Sequence, residues 1–451
     1  MVDTINWKVA TEETVQHLVR LIKADTTNPP GNELPAIIII KDILEQAGFP
    51  HESVKILESA PNRVNLVARI KGDGSEKPFL LSGHVDVVPV ERDKWNHDPF
   101  GGEIIDGVVW GRGALDMKGF LAMYLQIFLN LYRQQTQLKR DVILAAIADE
   151  ENGFTNGSKF LVEQHRDMID AEYAITEAGA VTTFFGKARL YPIQVAEKSY
   201  CHMRMYIHGN VGHGSLPIPD NPIYRMAQVV EKLRQAGHLP VHIAPTFLKM
   251  LDAISSQLRF PMSSLIGLLH SPTIMSILLD RMKGYNRNIM TAWVTNNIFL
   301  KSVQAGTKDN LDTSIAEVDL SCRLIPGQNP EDVKREIRQI VGEEIELEVT
   351  HTINGTEFST ETSLFKLLEK RTKQMDPGGI VVPMLFPGGT DACYYQNAGI
   401  TVYGFTPGKL LANIPVMTLV HGHDERIPIS LIESGLPVLW DVVTEFCGKG
   451  V

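Results

Sequence analysis

Cysteine is scarce in this chain of 451 residues. The four present, Cys201, Cys322, Cys393 and Cys447, lie far apart and form no Cys-x-x-Cys pair. That argues against a disulfide framework or a thiolate metal site and leaves free thiols in a reducing compartment as the simplest reading. Basic charge is short as well, with 43 Lys and Arg against 53 Asp and Glu and a formal charge of −10. A phosphate backbone is bound by a basic face, so no nucleic-acid partner is expected, although a local basic pocket for a carboxylate is compatible with the balance. Long apolar runs are absent, and Ile37 to Ile40 is far too short to span a bilayer. The N-terminus lacks the basic, apolar and small-residue succession of a signal peptide. A cytoplasmic protein with no membrane partner is therefore expected. Internal repeats and low-complexity tracts are missing too. No strand-to-helix turn carries the G-x-S-x-G that would present a serine nucleophile.

What remains is ordinary globular material, 44% hydrophobic and 21% charged, in a chain long enough for two domains. Val15, Leu18, Val19 and Ile22 recur at helical spacing, predicting a helix near 11–25 that ends before the breaker Asn28-Pro29-Pro30-Gly31. A second helix fits 33–48, strands fit 63–70 and 79–83, and a helix fits 117–133. Val142 to Ala148 is a short, almost wholly apolar run, the pattern of a strand buried on both faces. This alternation predicts an α/β fold with helices flanking the sheet. From about 193 the pattern changes. A strand-like stretch Ile193–His208, a helix at 222–236, a strand at Ala316–Leu324, a helix at 330–341 and a strand at Ile345–Thr350 suggest an inserted α+β domain. Residues 240–300, rich in Leu, Ile and Met, read as additional helix. The α/β pattern resumes near 352, so the main domain is split.

Polar clusters follow the apolar runs, where ligands meet such sheets. Gly83-His84-Val85-Asp86 ends one strand, and a carboxylate two residues from a histidine can orient a metal-bound ring, or the pair can simply be solvated loop. In Gly111-Arg112-Gly113-Ala114-Leu115-Asp116-Met117-Lys118-Gly119, the aspartate at a helix start can cap that helix or span two cations. Asp149-Glu150-Glu151 puts three acids at the end of a buried strand, where their mutual repulsion calls for a cation or a proton; in an extended segment Glu150 and Glu151 would point in opposite directions, so that one can bind metal while the other faces the attacking water. Thr176-Glu177-Ala178-Gly179 follows the apolar Tyr173 to Ile175, and His421-Gly422-His423-Asp424-Glu425-Arg426 follows Thr418-Leu419-Val420. Together they supply oxygen and nitrogen donors without thiolate, a set suited to Zn2+, Mn2+ or Co2+ and to a two-metal site with ions about 3.5–4 Å apart.

In their order and spacing these motifs resemble the M20 family of metallopeptidases, whose members include carboxypeptidase G2-like enzymes, aminoacylases, succinyl-diaminopimelate desuccinylase and carnosine dipeptidases. The resemblance implies a split catalytic domain (1–190 and 352–451) with a mixed sheet flanked by helices, and an inserted lid and dimerisation domain (191–351). Two divalent metal ions, foremost zinc, would be held by His84, Asp116, Glu151, Glu177 and His421, with Asp116 bridging. Glu150 would be the general base acting on a metal-bridging water, Asp86 would orient His84, and the Asp116-Met117 peptide would be cis. His213 resembles the lid histidine that reaches the partner subunit's site. Asn310 and Arg323 resemble the lid residues that hold a substrate carboxylate, and Gly388-Gly389-Thr390-Asp391 resembles the loop closing on substrate, which brings in Gly389 and Thr390. Two departures stand out: residues 240–300 are longer and more apolar than the compact lid pattern, and Asn310 is followed by Leu311-Asp312-Thr313.

The function implied is hydrolysis of an amide in a small peptide or N-acyl amino acid with a free carboxylate, by a homodimer. Glu rather than Asp at 177 leans toward the deacylases. The alternative is a non-catalytic binding protein that kept the fold, which a lost base or ligand would mark.

Overall fold

The computed structural model describes residues 5–186, 188–210, 218–305, 314–411, 414 and 416–449. Three apolar runs read as buried strands lie side by side and in parallel. Val142–Ile147 pairs with Phe79–His84, which pairs with Tyr173–Thr176; a fourth strand, Thr401–Gly404, continues the parallel set. Nearly every side chain in the four is buried, as expected where both faces of a parallel sheet are covered. Antiparallel neighbours extend the sheet, making it mixed. Arg63–Ile70 and then Val54–Ala60 lie beyond Val142–Ile147, and Ala188–Glu197 lies beyond Thr401–Gly404. Because the four parallel strands run one way, their carboxyl ends at His84, Ile147, Thr176 and Gly404 share an edge of the sheet. The motifs that carry His84, Glu150 and Glu177 leave from that edge.

The helix Lys118–Arg133 has apolar residues on every side and is buried from Lys118 to Leu131. Trp7–Lys23, capped by the Asn6 side chain, packs against it, as does Ile429–Cys447. A small antiparallel sheet joins Arg426–Pro428 to Val108–Trp110, which brings residues 421–425 alongside 111–116.

The chain forms two compact units. Described residues of 1–195, 358–382 and 390–451 make the first, and those of 196–357 and 383–389 the second. In the second, four antiparallel strands run in the order Asn297–Ala305, Ile315–Leu324, Ser199–His208, Glu346–Ile353. Alternate residues Cys201, Met203, Met205 and Ile207 point into a core shared with Val333 and Ile337 of the helix Pro330–Val341. Among the described residues, no helix of either unit is long and apolar enough to cross a membrane.

Three expectations need correction. The stretch Ile193–His208 is not one strand but two, Ala188–Glu197 and Ser199–His208, broken at Lys198. The first is continuously buried near its end and the second alternates, so they serve different sheets. Lys198 is buried at the break, its ammonium donating to the Thr295 carbonyl and to Asn297 Oδ1. Residues 240–300 are helical only as far as Val294; Asn297–Ala305 is an exposed edge strand whose apolar Phe299 and Leu300 mimic helix composition. Glu150 and Glu151 lie in a turn, not in an extended segment with alternating side chains.

Gly404 ties the sheet to that functional edge. A Cβ there would overlap the carbonyl oxygens of Glu177 and Ala178, main-chain atoms that cannot swing aside. Gly404→Ala is expected to destabilise the protein by about 1–3 kcal/mol, the usual scale of overpacking. Denaturant titration checks it; an unchanged midpoint would show that the backbone yields at no cost.

Candidate metal centre

Asp116 is the meeting point of the cluster. One carboxylate oxygen, Oδ1, stands 3.1 Å from His84 Nε2, and the other, Oδ2, stands 3.1 Å from His421 Nε2. Glu177 Oε2 lies 3.4 Å from His84 Nε2, and Glu151 Oε2 lies 3.0 Å from His421 Nε2. Two sets of three donors therefore share Asp116: His84, Asp116 and Glu177, and Asp116, Glu151 and His421. Donor atoms within each set lie within 4.8 Å of one another, as do those of His84, Glu150 and Glu151.

The parallel strands explain the convergence. His84 is the last residue of its strand, Glu177 the first after its own, and Glu150 and Glu151 follow Val142–Ile147 by a short turn. His421 arrives from the other side, on the loop before Arg426–Pro428. The Asp116-Met117 peptide is cis, as the resemblance implied.

Several of the donors are fixed by further contacts. His84 Nδ1 donates to the Asp86 main-chain carbonyl at 3.0 Å, with the Asp86 carboxylate farther off at 3.5 Å, so Nε2 is turned to the acids. The Asp86 carboxylate instead accepts the backbone N–H groups of Glu150 and Glu151, each at 3.2 Å, and the Asn28 amide at 2.8 Å. Asp149, the first acid of its motif, is drawn away from the donors. It accepts from Arg63 at 2.8 Å and from the Asn156 side chain at 2.9 Å, which leaves its two neighbours to the cluster.

The electrostatics follow from crowding. Burial alone would depress the His84 pKa, but Glu177, Asp116 and Asp86 hold it well above the ordinary value. His421 is pushed up to about 10 by Asp116 and Glu151. Glu151 rises to about 7 through burial and then the Asp116 charge. Glu150 is pushed well above the usual carboxylate range by burial and then by Glu177. Asp116 is held low by His421 and His84 against its burial. A pair of divalent cations fits this group. The donors are carboxylates and imidazoles, and Glu151 Oε1 is buried without a hydrogen-bond partner, an orphan that a cation would satisfy.

Some contributors were not singled out in the sequence. Glu425 is fully buried, 2.6 Å from Arg112, and accepts the backbone N–H groups of Gly113 at 3.1 Å, Leu115 at 2.8 Å and Asp116 at 3.0 Å. It therefore holds the main chain that carries Asp116. Its signal was the arginine in Gly111-Arg112-Gly113 and the acid in His421–Arg426, which only the small sheet brings together. Asn28 was read as part of a breaker. Asp391, raised to about 8 by burial and then Glu177, follows the Gly388–Thr390 loop.

Of the residues assigned to substrate, Arg323 lies in the second unit, on Ile315–Leu324, across from Tyr200 and Asn297 on its two neighbours. Its guanidinium is 4.8 Å from the centre of the Tyr200 ring. Gly389 is close by, since a Cβ there would sit 3.6 Å from Arg323 Nη1. Thr390 is buried, and its hydroxyl accepts from the backbone N–H of Ala392 at 3.2 Å. His213 and Asn310 lie outside the described residues.

Residues 80–445 match the family described as peptidase family M20/M25/M40. The probable carboxypeptidase S-like 2 of Dictyostelium discoideum is 28% identical over 379 residues, 81% of this chain and 71% of that protein. The human N-fatty-acyl-amino acid synthase/hydrolase is 24% identical over 380 residues, 82% of this chain and 74% of its own. The M20 family metallo-carboxypeptidase Sso-CP2 of Sulfolobus solfataricus superposes with a TM-score of 0.67 at 18% identity, covering 96% of this chain and 98% of that one. With a family match over most of its length, this chain belongs to peptidase family M20/M25/M40 and is an enzyme of its peptidase and amidohydrolase group.

Proposed function

We propose that the protein hydrolyses the amide joining an acyl group to an amino acid whose carboxylate is free, using a pair of zinc-type divalent ions. The observation that carries this reading is the Asp116 carboxylate, with one oxygen facing His84 and the other facing His421. His84 and Glu177 would hold one ion, Glu151 and His421 the other, and Asp116 both. When bound, such ions polarise a carbonyl and acidify water.

The chain's own groups supply the rest. Glu150 lies half-buried beside His84 and Glu151 without being needed in either three-donor set that shares Asp116. Its raised proton affinity suits a group that takes a proton from the attacking water and passes it to the leaving amine. Asp86 positions that glutamate through the main chain and His84 through the ring. Arg323, stacked on Tyr200, offers a planar fork that matches a carboxylate bidentately. The names of the two relatives support the substrate class. A peptide cut by a carboxypeptidase and an N-fatty-acyl amino acid share one unit, an acyl carbon on the nitrogen of an amino acid with a free carboxylate.

Three outcomes are expected. Exhaustive chelation abolishes amide hydrolysis of N-acyl amino acids, and Zn2+, Mn2+ or Co2+ restores it; full turnover in protein shown to be metal-free would refute the metal role. Glu150→Gln keeps its metal content while kcat falls by about a hundredfold or more, whereas Glu151→Gln loses metal as well. Near-normal turnover in the first, or metal loss equal to the second, ends this division of roles. Arg323→Ala lowers kcat/KM strongly for a free-carboxylate substrate, and Lys does not restore it fully. The variant then discriminates little between that substrate and its amide; discrimination equal to wild type counts against Arg323.

A further inference from the structure

The four helices Pro245–Ser256, Met262–Leu268, Pro272–Arg281 and Gly284–Val294 belong to the second unit but not to its sheet. One side of them is closed, with Phe247, Leu251, Ile254, Met275 and Leu279 buried. A helix at a water boundary is polar on its other side, but the second, third and fourth of these also expose large apolar residues there. Phe260 is 82% exposed, Leu265 52%, Leu268 50%, Ile277 48% and Tyr285 51%. Phe260 sits at the turn between the first two helices and is the most exposed large apolar side chain among the described residues.

The charge of this insertion runs against that of the whole chain. In a chain of formal charge −10, residues 245–294 carry five cations (Lys249, Arg259, Arg281, Lys283, Arg287) and two acids. Both acids are engaged by histidines, Asp252 with His270 at 3.1 Å and Asp280 with His238 at 3.3 Å. Arg259 lies next to Phe260, Arg281 ends the third helix, and Lys283 occupies the N-cap position of the fourth. All three are exposed, and none has an acidic partner among the described residues.

We propose that this helical insertion is a docking face for an anionic lipid surface, with Phe260, Leu265 and Leu268 entering the acyl boundary and Arg259, Arg281 and Lys283 meeting the headgroups. The element lies on the surface and does not cross it. Apolar residues beside unpaired cations are what such an interface selects, each half contributing to the same partition. A second copy of the chain fits less well, because a two-fold contact sets a patch against itself and would oppose the same cations. This departs from the expectation of no membrane partner, which considered only spanning segments and a signal peptide.

The test uses the full chain and sedimentation with vesicles of phosphatidylcholine alone or mixed with phosphatidylglycerol. The protein should partition onto the anionic vesicles, less onto the neutral ones, and leave them in high salt. Arg259→Ala, Arg281→Ala and Lys283→Ala combined should lower that partitioning about a hundredfold, at about 1 kcal/mol for each cation near the surface. Phe260→Ser, Leu265→Ser and Leu268→Ser combined should abolish it. All six side chains are exposed, so circular dichroism should show unchanged helix content in both variants. Wild-type protein that stays in the supernatant with anionic vesicles overturns the proposal. So does partitioning of both variants equal to wild type. Loss of self-association in the serine variant without vesicle binding by wild type assigns the face to a second copy instead.

Discussion

Four carboxylates, Asp116, Glu150, Glu151 and Glu177, converge where water can screen them little, and the rest of the first unit is arranged around that repulsion. Left uncompensated, such a group would be strongly unfavourable, so charge of the other sign is built in or taken up. Two imidazoles supply part of it. His84 and His421 each face one oxygen of the same aspartate, and both are held above their ordinary pKa by the acids around them. Glu151 and Glu150 relieve the remainder by holding protons more tightly than exposed glutamates do. A cation that displaced those protons would find its donors already gathered.

Gathering them is the work of further buried carboxylates that stand outside the cluster. Glu425 accepts three backbone N–H groups from the Gly111–Asp116 loop while paired to Arg112. Asp86 accepts two from the Glu150 turn. In both cases a buried carboxylate fixes main chain rather than a side chain. The backbone of Asp116, Glu150 and Glu151 is thereby placed by contacts that do not use their own carboxylate oxygens. Asp149 shows the same economy from the other direction. By accepting from Arg63, Asn28 and Asn156, it removes one negative charge from a cluster that could not hold another.

His84, Glu150, Glu151 and Glu177 could be picked out as candidates because each follows a short apolar strand, and the ends of parallel strands are both easy to recognise and close in space; Asp116, just before a helix, and His421, after a short helix, lie at no such strand end. The helix at 330–341 was legible to the residue, since Asn329 and Asp332 form a capping box ahead of a strong apolar stripe. Contacts that depend on the small sheet were not. Nothing in local pattern says that Glu425 reaches back more than three hundred residues to Arg112, or that Asn28, in a run of breakers, turns its amide toward Asp86 and Asp149. The extended reading of Glu150 and Glu151 failed for a local reason: Asp149 adopts a left-handed backbone conformation, φ 65°, which ends the strand and folds the next residues into a turn. The break at Lys198 was hidden too, because a lysine inside an apolar run reads as one outward-facing residue of a continuous strand.

That lysine also bears on the charge balance of the second unit. Its ammonium is fully buried, and burial, with Arg323 adding to it, lowers its pKa to about 7. Two cationic groups thus lie close enough to oppose one another, in a unit where Arg323 is stacked on Tyr200 and adjoins the Gly389 backbone. The first unit has the reverse imbalance, an excess of carboxylates that His84 and His421 offset only in part. In each unit the excess sits on groups that are themselves held in place, Lys198 by the Thr295 carbonyl and Asn297, and Asp116 by the contact of its backbone N–H with Glu425.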